Sequence, residues 1–136
     1  MYLTQSLHRA TQRHPHKVAL RHLAAEGERE STFEQLVSDI ARHAAALHAR
    51  GVRSGDRVAM LSPNNDALIV HLFACWWLGA VACPLNVRWS VAELRHALGD
   101  CGAQLLLFDA ALASTARELQ GSATVLAAQT LAAQAH

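Results

Sequence analysis

Cysteine, proline and aromatic residues are all scarce in this chain: three cysteines, three prolines and 5% aromatics in 136 residues. Cys75, Cys83 and Cys101 are odd in number and include no Cys-x-x-Cys pair. That excludes a disulfide-stapled scaffold and fits a reducing cytoplasm. His71 and Cys75, four apart on an expected helix, come nearest to a metal pair. No second pair at zinc spacing accompanies them, so both read as core residues and no metal ligand is assigned. Charge of one sign is also lacking, since 12 Lys and Arg against 11 Asp and Glu leave a net +1. Without a Lys/Arg run there is neither a nucleic-acid footprint nor a polybasic membrane patch. The nine histidines are scattered and read mostly as surface residues that gain charge in mild acid.

No long hydrophobic run is present either. The apolar stretch 67–78 is too short to span a bilayer and contains His71, so it reads as a buried helix. Residues 1–25 hold Arg9, Arg13, Lys17 and Arg21 and no acid, a superficial likeness to a transit peptide. Leu3, Leu7 and Ala10 nevertheless fall at helical spacing and Pro15 stops that helix, so the segment is taken as part of the fold. Gly-x-Gly-x-x-Gly, Gly-x-x-x-x-Gly-Lys-[Ser/Thr] and Gly-x-Ser-x-Gly are all missing. Dinucleotide binding, P-loop phosphate binding and a nucleophile elbow are therefore not signalled.

What is present is a foldable composition, 51% hydrophobic and 17% charged. One domain of this length buries about two thirds of its surface. A strand is expected over 18–23. Thr32 and Gln35 form a capping-box pattern, after which Leu36, Ile40, Ala44 and Leu47 share one helical face that Gly51 closes. Gly55-Asp56 turns into a strand at 58–61, and Ser62-Pro63-Asn64-Asn65 turns into the buried helix, which ends at Gly79. A strand follows at 81–85. Ser90 and Glu93 open a helix that ends near Gly99. A strand at 104–108, a helix at 110–119 and a last strand at 123–126 complete the series. The alanine- and glutamine-rich segment 121–136 is expected to fray.

Short strands alternating with longer helices imply βαβ units with right-handed crossovers. The expected fold is a single α/β domain over 1–136, with a mostly parallel sheet and helices on both faces. Asp56, Asp66, Asp100 and Asp109 fall at expected turns or helix starts, where capping suffices. Asp109 stands apart because it follows a strand at its carboxyl end, where α/β ligand sites form. Trp76 and Trp77 read as core, and Trp89, after Arg88, as an exposed loop residue. The residues alone support an α/β domain, with a stand-alone binding or interaction module as one reading.

Four segments carry a further resemblance. Ser31-Thr32-Phe33-Glu34-Gln35-Leu36 resembles a Thr-Tyr-x-x-Leu pattern with Phe33 in place of the tyrosine. Gly55-Asp56-Arg57-Val58-Ala59 resembles a Gly-Asp-Arg/Lys-Val-Ala strand entry. The run from Trp77 through Gly79, Ala80 and Pro84 to Asn86 resembles a Leu-x-x-Gly-Ala-x-x-x-Pro-Leu-Asn element. Arg88 to Leu94, then Asp100 to Ala103, resembles an Arg-Leu-Ser-x-x-Glu-Leu … Asp-Ser-Gly-Ala passage. In this order they resemble the N-terminal part of AMP-forming acyl-CoA synthetases, members of the adenylate-forming enzymes.

The resemblance implies a piece of a larger carboxylate–CoA ligase whose complete form uses ATP, Mg²⁺ and CoA on a fatty or aromatic acid. The family's Gly-rich phosphate loop and mobile lysine domain have no counterpart before His136, so no catalytic residue is carried over and no cofactor-binding residue is assigned. The remainder of the parent enzyme is the implied partner, the small carboxylic acid its substrate, and self-association and a cytoplasmic location are expected.

Overall fold

Two strands organise the molecule because their residues alternate between two separate cores. In the computed structural model, which describes residues 2–134, β3 (Arg57–Leu61) places Val58 and Met60 in one core and Ala59 and Leu61 in the other. β5 (Leu105–Phe108) does the same with Leu105 and Leu107 against Leu106 and Phe108. A strand covered on both faces has no polar side to present, which is why these segments read as unbroken apolar runs. β4 (Val81–Pro84) flanks β3 on one side, β5 lies on the other, and β6 (Thr124–Ala127) pairs with β5; all three pairings are parallel.

The first core lies between this sheet and α1 (Gln5–Arg13), α2 (Phe33–Ala49), α3 (Asp66–Trp77) and α6 (Ala128–Gln134). Ile40, Leu47 and Leu131 are fully buried in it. The second core lies on the opposite face, under α4 (Val91–Cys101), with Leu94, Leu98 and Leu119. α5 (Ala113–Glu118) ends just before Leu119, so that segment joins the same layer. The helices thus cover both faces, as the sequence pattern requires.

Both capping boxes form. The Thr32 and Ser90 hydroxyls accept from the Gln35 and Glu93 N–H groups, while the Gln35 and Glu93 side chains accept from the Thr32 and Ser90 N–H groups. Each box satisfies two otherwise unpaired donors and fixes where the helix begins.

The structure departs from the sequence reading at several points. β1 (Val18–Ala24) pairs antiparallel with β2 (Gly27–Thr32) in a separate hairpin, and the sequence pattern does not signal β2. Its sequence, Gly-Glu-Arg-Glu-Ser-Thr, has no apolar alternation; pairing with β1 and the Arg21 ion pairs to Glu28 and Glu30 define it instead. Ala19 and Leu20 tie the hairpin to the first core. α4 continues through Gly99 and Asp100 to Cys101, so Asp100 lies within a helix and not at a turn. The left-handed stop is Gly102, φ 68°, whose N–H donates to the Leu98 carbonyl. The expected 110–119 helix is a 3-10 turn, Ala110–Leu112, followed by α5. Trp77, the last residue of α3, is 36% exposed and lies against His8 of α1 instead of entering the core. Trp76 is half-buried edge-on to Phe73.

In the segment expected to fray, β6 pairs with β5, and Leu131 of α6 is fully buried. Residues 135 and 136 of that segment lie outside the described residues.

Candidate functional site

The strand order creates one place where the chain reverses direction across the sheet. β3 leads into α3 on the first face and then to β4 at its side; β4 leads into α4 on the opposite face and crosses β3 to reach β5. The loops that leave β3 and β4 therefore diverge to opposite faces. Divergence of adjacent loops opens a crevice beyond the strands' carboxyl ends, where ligands of open α/β sheets bind.

That crevice is present. A cleft of about 450 Å³ lies between residues 62–64, which follow β3, and residues 85–88, which follow β4. Both walls are held by backbone and side-chain hydrogen bonds. The Leu85 N–H donates to the Met60 carbonyl at 2.8 Å, carrying the β3–β4 ladder one residue past Pro84. Asn86 closes the second wall: its side-chain oxygen accepts from the Arg88 N–H at 2.9 Å and its carbonyl from the Trp89 N–H at 3.1 Å. This is an Asx-type turn, in which the side chain stands in for a backbone acceptor. Ser62 donates to the Pro63 carbonyl at 2.9 Å in the first wall.

Asn65 and Asp109 form the neighbouring corner, at the ends of β3 and β5. The Asn65 side-chain oxygen accepts from the Leu68 N–H at 2.9 Å, which caps α3. Its amide nitrogen donates to Asp109 at 3.1 Å. The second oxygen of Asp109 accepts from the Ala111 N–H at 3.0 Å, which starts the 3-10 turn. Asp109 therefore sits at a strand carboxyl end, as the sequence indicates, but both its oxygens serve the fold.

The other candidate acids are also structural. Asp56 accepts from the Arg53 N–H at 2.7 Å in its turn. Asp66 takes both Arg29 nitrogens at 3.0 Å. The pairing holds its carboxyl below the usual carboxylate range, against an opposing desolvation by burial. Among the described residues no three His, Cys, Asp or Glu side chains converge on one point.

His71 and Cys75 are both buried in the first core. Burial, reinforced by neighbouring His43, holds the His71 pKa down to about 4, and burial pushes the Cys75 thiol up to about 12. The half-buried Cys83 thiol is raised by burial and then by its neighbour Cys101. Such thiols are poor nucleophiles.

Arg88 is the functional candidate that composition and spacing do not single out. It lines the cleft only because β4 lies beside β3, a pairing between residues more than twenty positions apart. A larger open depression of about 620 Å³ runs along α2 beside Glu30, Glu34, Asp39 and Arg42. It is lined by α2 and the end of β2, a strand of the separate antiparallel hairpin, and the switch-point cleft of the parallel sheet is the better candidate. No helix among the described residues is long and apolar enough to cross a membrane.

Comparison with known proteins agrees with this architecture. The family model for AMP-binding enzymes matches residues 7–135. A feruloyl-CoA synthase from an Amycolatopsis species is 50% identical over 93 residues, 68% of this chain and 18% of that protein. A 2-succinylbenzoate–CoA ligase from Geobacillus kaustophilus is 35% identical over 119 residues, 88% of this chain and 23% of that protein. The chain thus spans about a fifth of the length of the curated relatives it matches. Among solved structures, the inhibitor-bound N-terminal domain of FACL13 from Mycobacterium tuberculosis superposes with TM-score 0.88 at 26% identity, covering 98% of this chain and 35% of that one. O-succinylbenzoate coenzyme A synthetase from Bacillus subtilis, in complex with ATP and magnesium, gives TM-score 0.83 at 28% identity over 93% of this chain and 33% of that one.

Proposed function

This chain belongs to the AMP-binding enzyme family, and from that premise we propose that it is the N-terminal part of an AMP-dependent carboxylate–CoA ligase. The supporting observation is the family match over residues 7–135 together with a superposition onto ligase N-terminal regions that extends to nearly every residue of this chain. In the proposed reaction a carboxylate oxygen attacks the α-phosphorus of ATP, releasing pyrophosphate and forming an acyl-adenylate. The thiol of CoA then displaces AMP to give the acyl-CoA.

This chain's contribution is architectural. It supplies the three-layer unit, with its β3–β4 crevice, on which the rest of such an enzyme is built. The phosphoryl-transfer step needs donors and a metal arranged around the phosphates, and the family's Gly-rich phosphate loop and mobile lysine domain have no counterpart in this sequence. The chain on its own is therefore expected to be inactive, with the remainder of the parent as its working partner and the cytoplasm as its location. An aromatic or fatty carboxylic acid is the proposed substrate, on the strength of relatives that include a feruloyl-CoA synthase and a long-chain-fatty-acid–CoA ligase. Self-association of the isolated chain is proposed through the open edge of β4, where Val81 is exposed.

A chimera tests the reading. Replacing the matching first fifth of the Amycolatopsis feruloyl-CoA synthase with this chain should give a soluble protein that still forms feruloyl-CoA, whereas this chain alone should show no carboxylate-dependent ATP–pyrophosphate exchange. A folded chimera inactive toward every acid of an aromatic and aliphatic panel would overturn the proposal, as would exchange catalysed by this chain alone.

A further inference from the structure

We propose that the β3–β4 cleft is an oxyanion-binding subsite, in which Arg88 grips a carboxylate or phosphoryl group. The inference goes beyond the ligase reading, which assigns no ligand to any residue of this chain. It rests on the geometry of the cleft.

Position is the first ground. The cleft lies outside the carboxyl ends of two adjacent parallel strands whose loops diverge, and it is formed by the backbone itself. Charge is the second. Among the described residues, Arg88 is the one ionised side chain lining the cleft, and no carboxylate lines it. The two nearby acids are turned to other tasks: Asp66 is gripped by Arg29 at 3.0 Å, and Asp109 accepts from Asn65 at 3.1 Å. Among the described residues, no carboxylate lies within ion-pair distance of Arg88.

Preorganisation is the third ground. The Asn86 turn fixes the backbone of Arg88 by the 2.9 Å bond to its N–H, so the guanidinium swings from an anchored Cα. A guanidinium presents a planar fork of donors that matches two oxygens of a carboxylate or phosphate. Asn64 on the facing wall supplies an amide as a neutral donor, while the Ser62 hydroxyl beside it donates to the Pro63 carbonyl at 2.9 Å. One cationic fork opposite a neutral amide donor, with no competing acid, is the chemistry of an oxyanion site. A neutral or cationic ligand would leave Arg88 unmatched.

The test is a titration of this chain, followed by amide chemical shifts, with inorganic phosphate, pyrophosphate and benzoate in separate arms. Shifts that saturate at residues 62–64 and 85–88 are expected in at least one arm. Saturation by phosphate or pyrophosphate alone identifies a phosphoryl site, by benzoate alone a carboxylate site. Arg88→Ala should weaken binding about tenfold or more, because a charge-assisted pair is lost. Arg88→Lys, which keeps the charge and loses the fork, should fall between. Arg13→Ala, on α1, should bind like the unmodified chain. Circular dichroism should show all three variants folded, since both arginines are exposed. The proposal fails if no arm perturbs these loops, or if folded Arg88→Ala binds as tightly as the unmodified chain. Neither result bears on the chimera's activity, so failure here and failure of the ligase reading are separable.

Discussion

His71 of α3 meets His43 of α2 edge to face, ring centroids 5.1 Å apart and planes at 78°. His43 bonds the Asp39 carbonyl through its Nδ1 at 2.8 Å, whereas the Nδ1 of His71 has no partner among the described residues although His71 is 4% exposed. The two elements that meet here, α2 and α3, form much of the first core.

The pair makes stability depend on pH. Burial and His43 lower the His71 pKa from 6.5 to about 4 in the folded chain. Between those values the unfolded chain binds a proton that the folded chain refuses, so stability falls as pH falls and is regained as pH rises above the unfolded pKa. The loss from this site should be about 2 kcal/mol on going from about pH 7.5 to about pH 5. Urea melts at the two pH values measure it. His71→Leu should remove most of that difference; an unchanged pH dependence would assign the effect elsewhere.

Asn65 both caps α3 and donates to Asp109. Asn65→Ala should cost about 1–2 kcal/mol, a lost cap together with a lost partner for a half-buried carboxylate. Asn65→Asp keeps the cap acceptor but sets a second carboxylate against Asp109. Its deficit should be larger at neutral pH than in mild acid, where one of the two carries a proton. Denaturant midpoints across pH distinguish the variants, and a pH-independent Asn65→Asp deficit would argue against direct contact in solution.

Gly79 ends the α3 segment at φ 73°, and a Cβ there would lie 2.8 Å from the Ser54 hydroxyl oxygen. Gly79→Ala should cost about 1–3 kcal/mol through the left-handed backbone and the clash. Ser54→Ala in the same chain should return part of that loss, because the nearest clashing atom is gone. A double-mutant cycle reads the coupling; strictly additive losses would mean that the backbone conformation alone sets the cost.

Leu131 tests the last helix. It is fully buried in the first core, and Gln134 accepts from Arg50 at the end of α2 at 2.7 Å. Leu131→Ala should cost about 2–4 kcal/mol, the usual range for a fully buried leucine. A thermal midpoint within error of the unmodified chain would show that α6 is not docked in solution.

The sequence made some of this legible and hid the rest for definite reasons. Thr32 with Gln35 and Ser90 with Glu93 are local signals, and both capping boxes form where the spacing places them. The parallel relation of the strands expected from Val58, Val81 and Gln104 follows from helices of ten or more residues between them, and it is borne out, with the third strand starting at Leu105. β2 carries charge where a strand signal needs alternation, so only its pairing with β1 reveals it. Gly99 looks like a helix stop, yet Leu98 and Cys101 pack into the second core and the helix runs on to Gly102. Asp109 attracts attention by its place after a strand, and Arg88 does not, because the cleft depends on β4 being the neighbour of β3. Strand order is a property of the whole chain, and no short window of residues encodes it.

The crossing of α4 over β3 also sets an order of events on the ribosome. By the time β4 has left the exit tunnel, α2, α3 and both strands are available to bury Val58 and Met60. Ala59 and Leu61 face the other way, and their cover, Leu94 and Leu98, is made afterwards. During that interval the nascent chain carries a half-finished sheet with one greasy face turned to water, an arrangement prone to wrong association. Slowing translation after β4 should lengthen the hazard, which ends only when Leu106 and Leu119 have followed α4 into the second core, so the exposure of this protein to chaperones follows from its strand order.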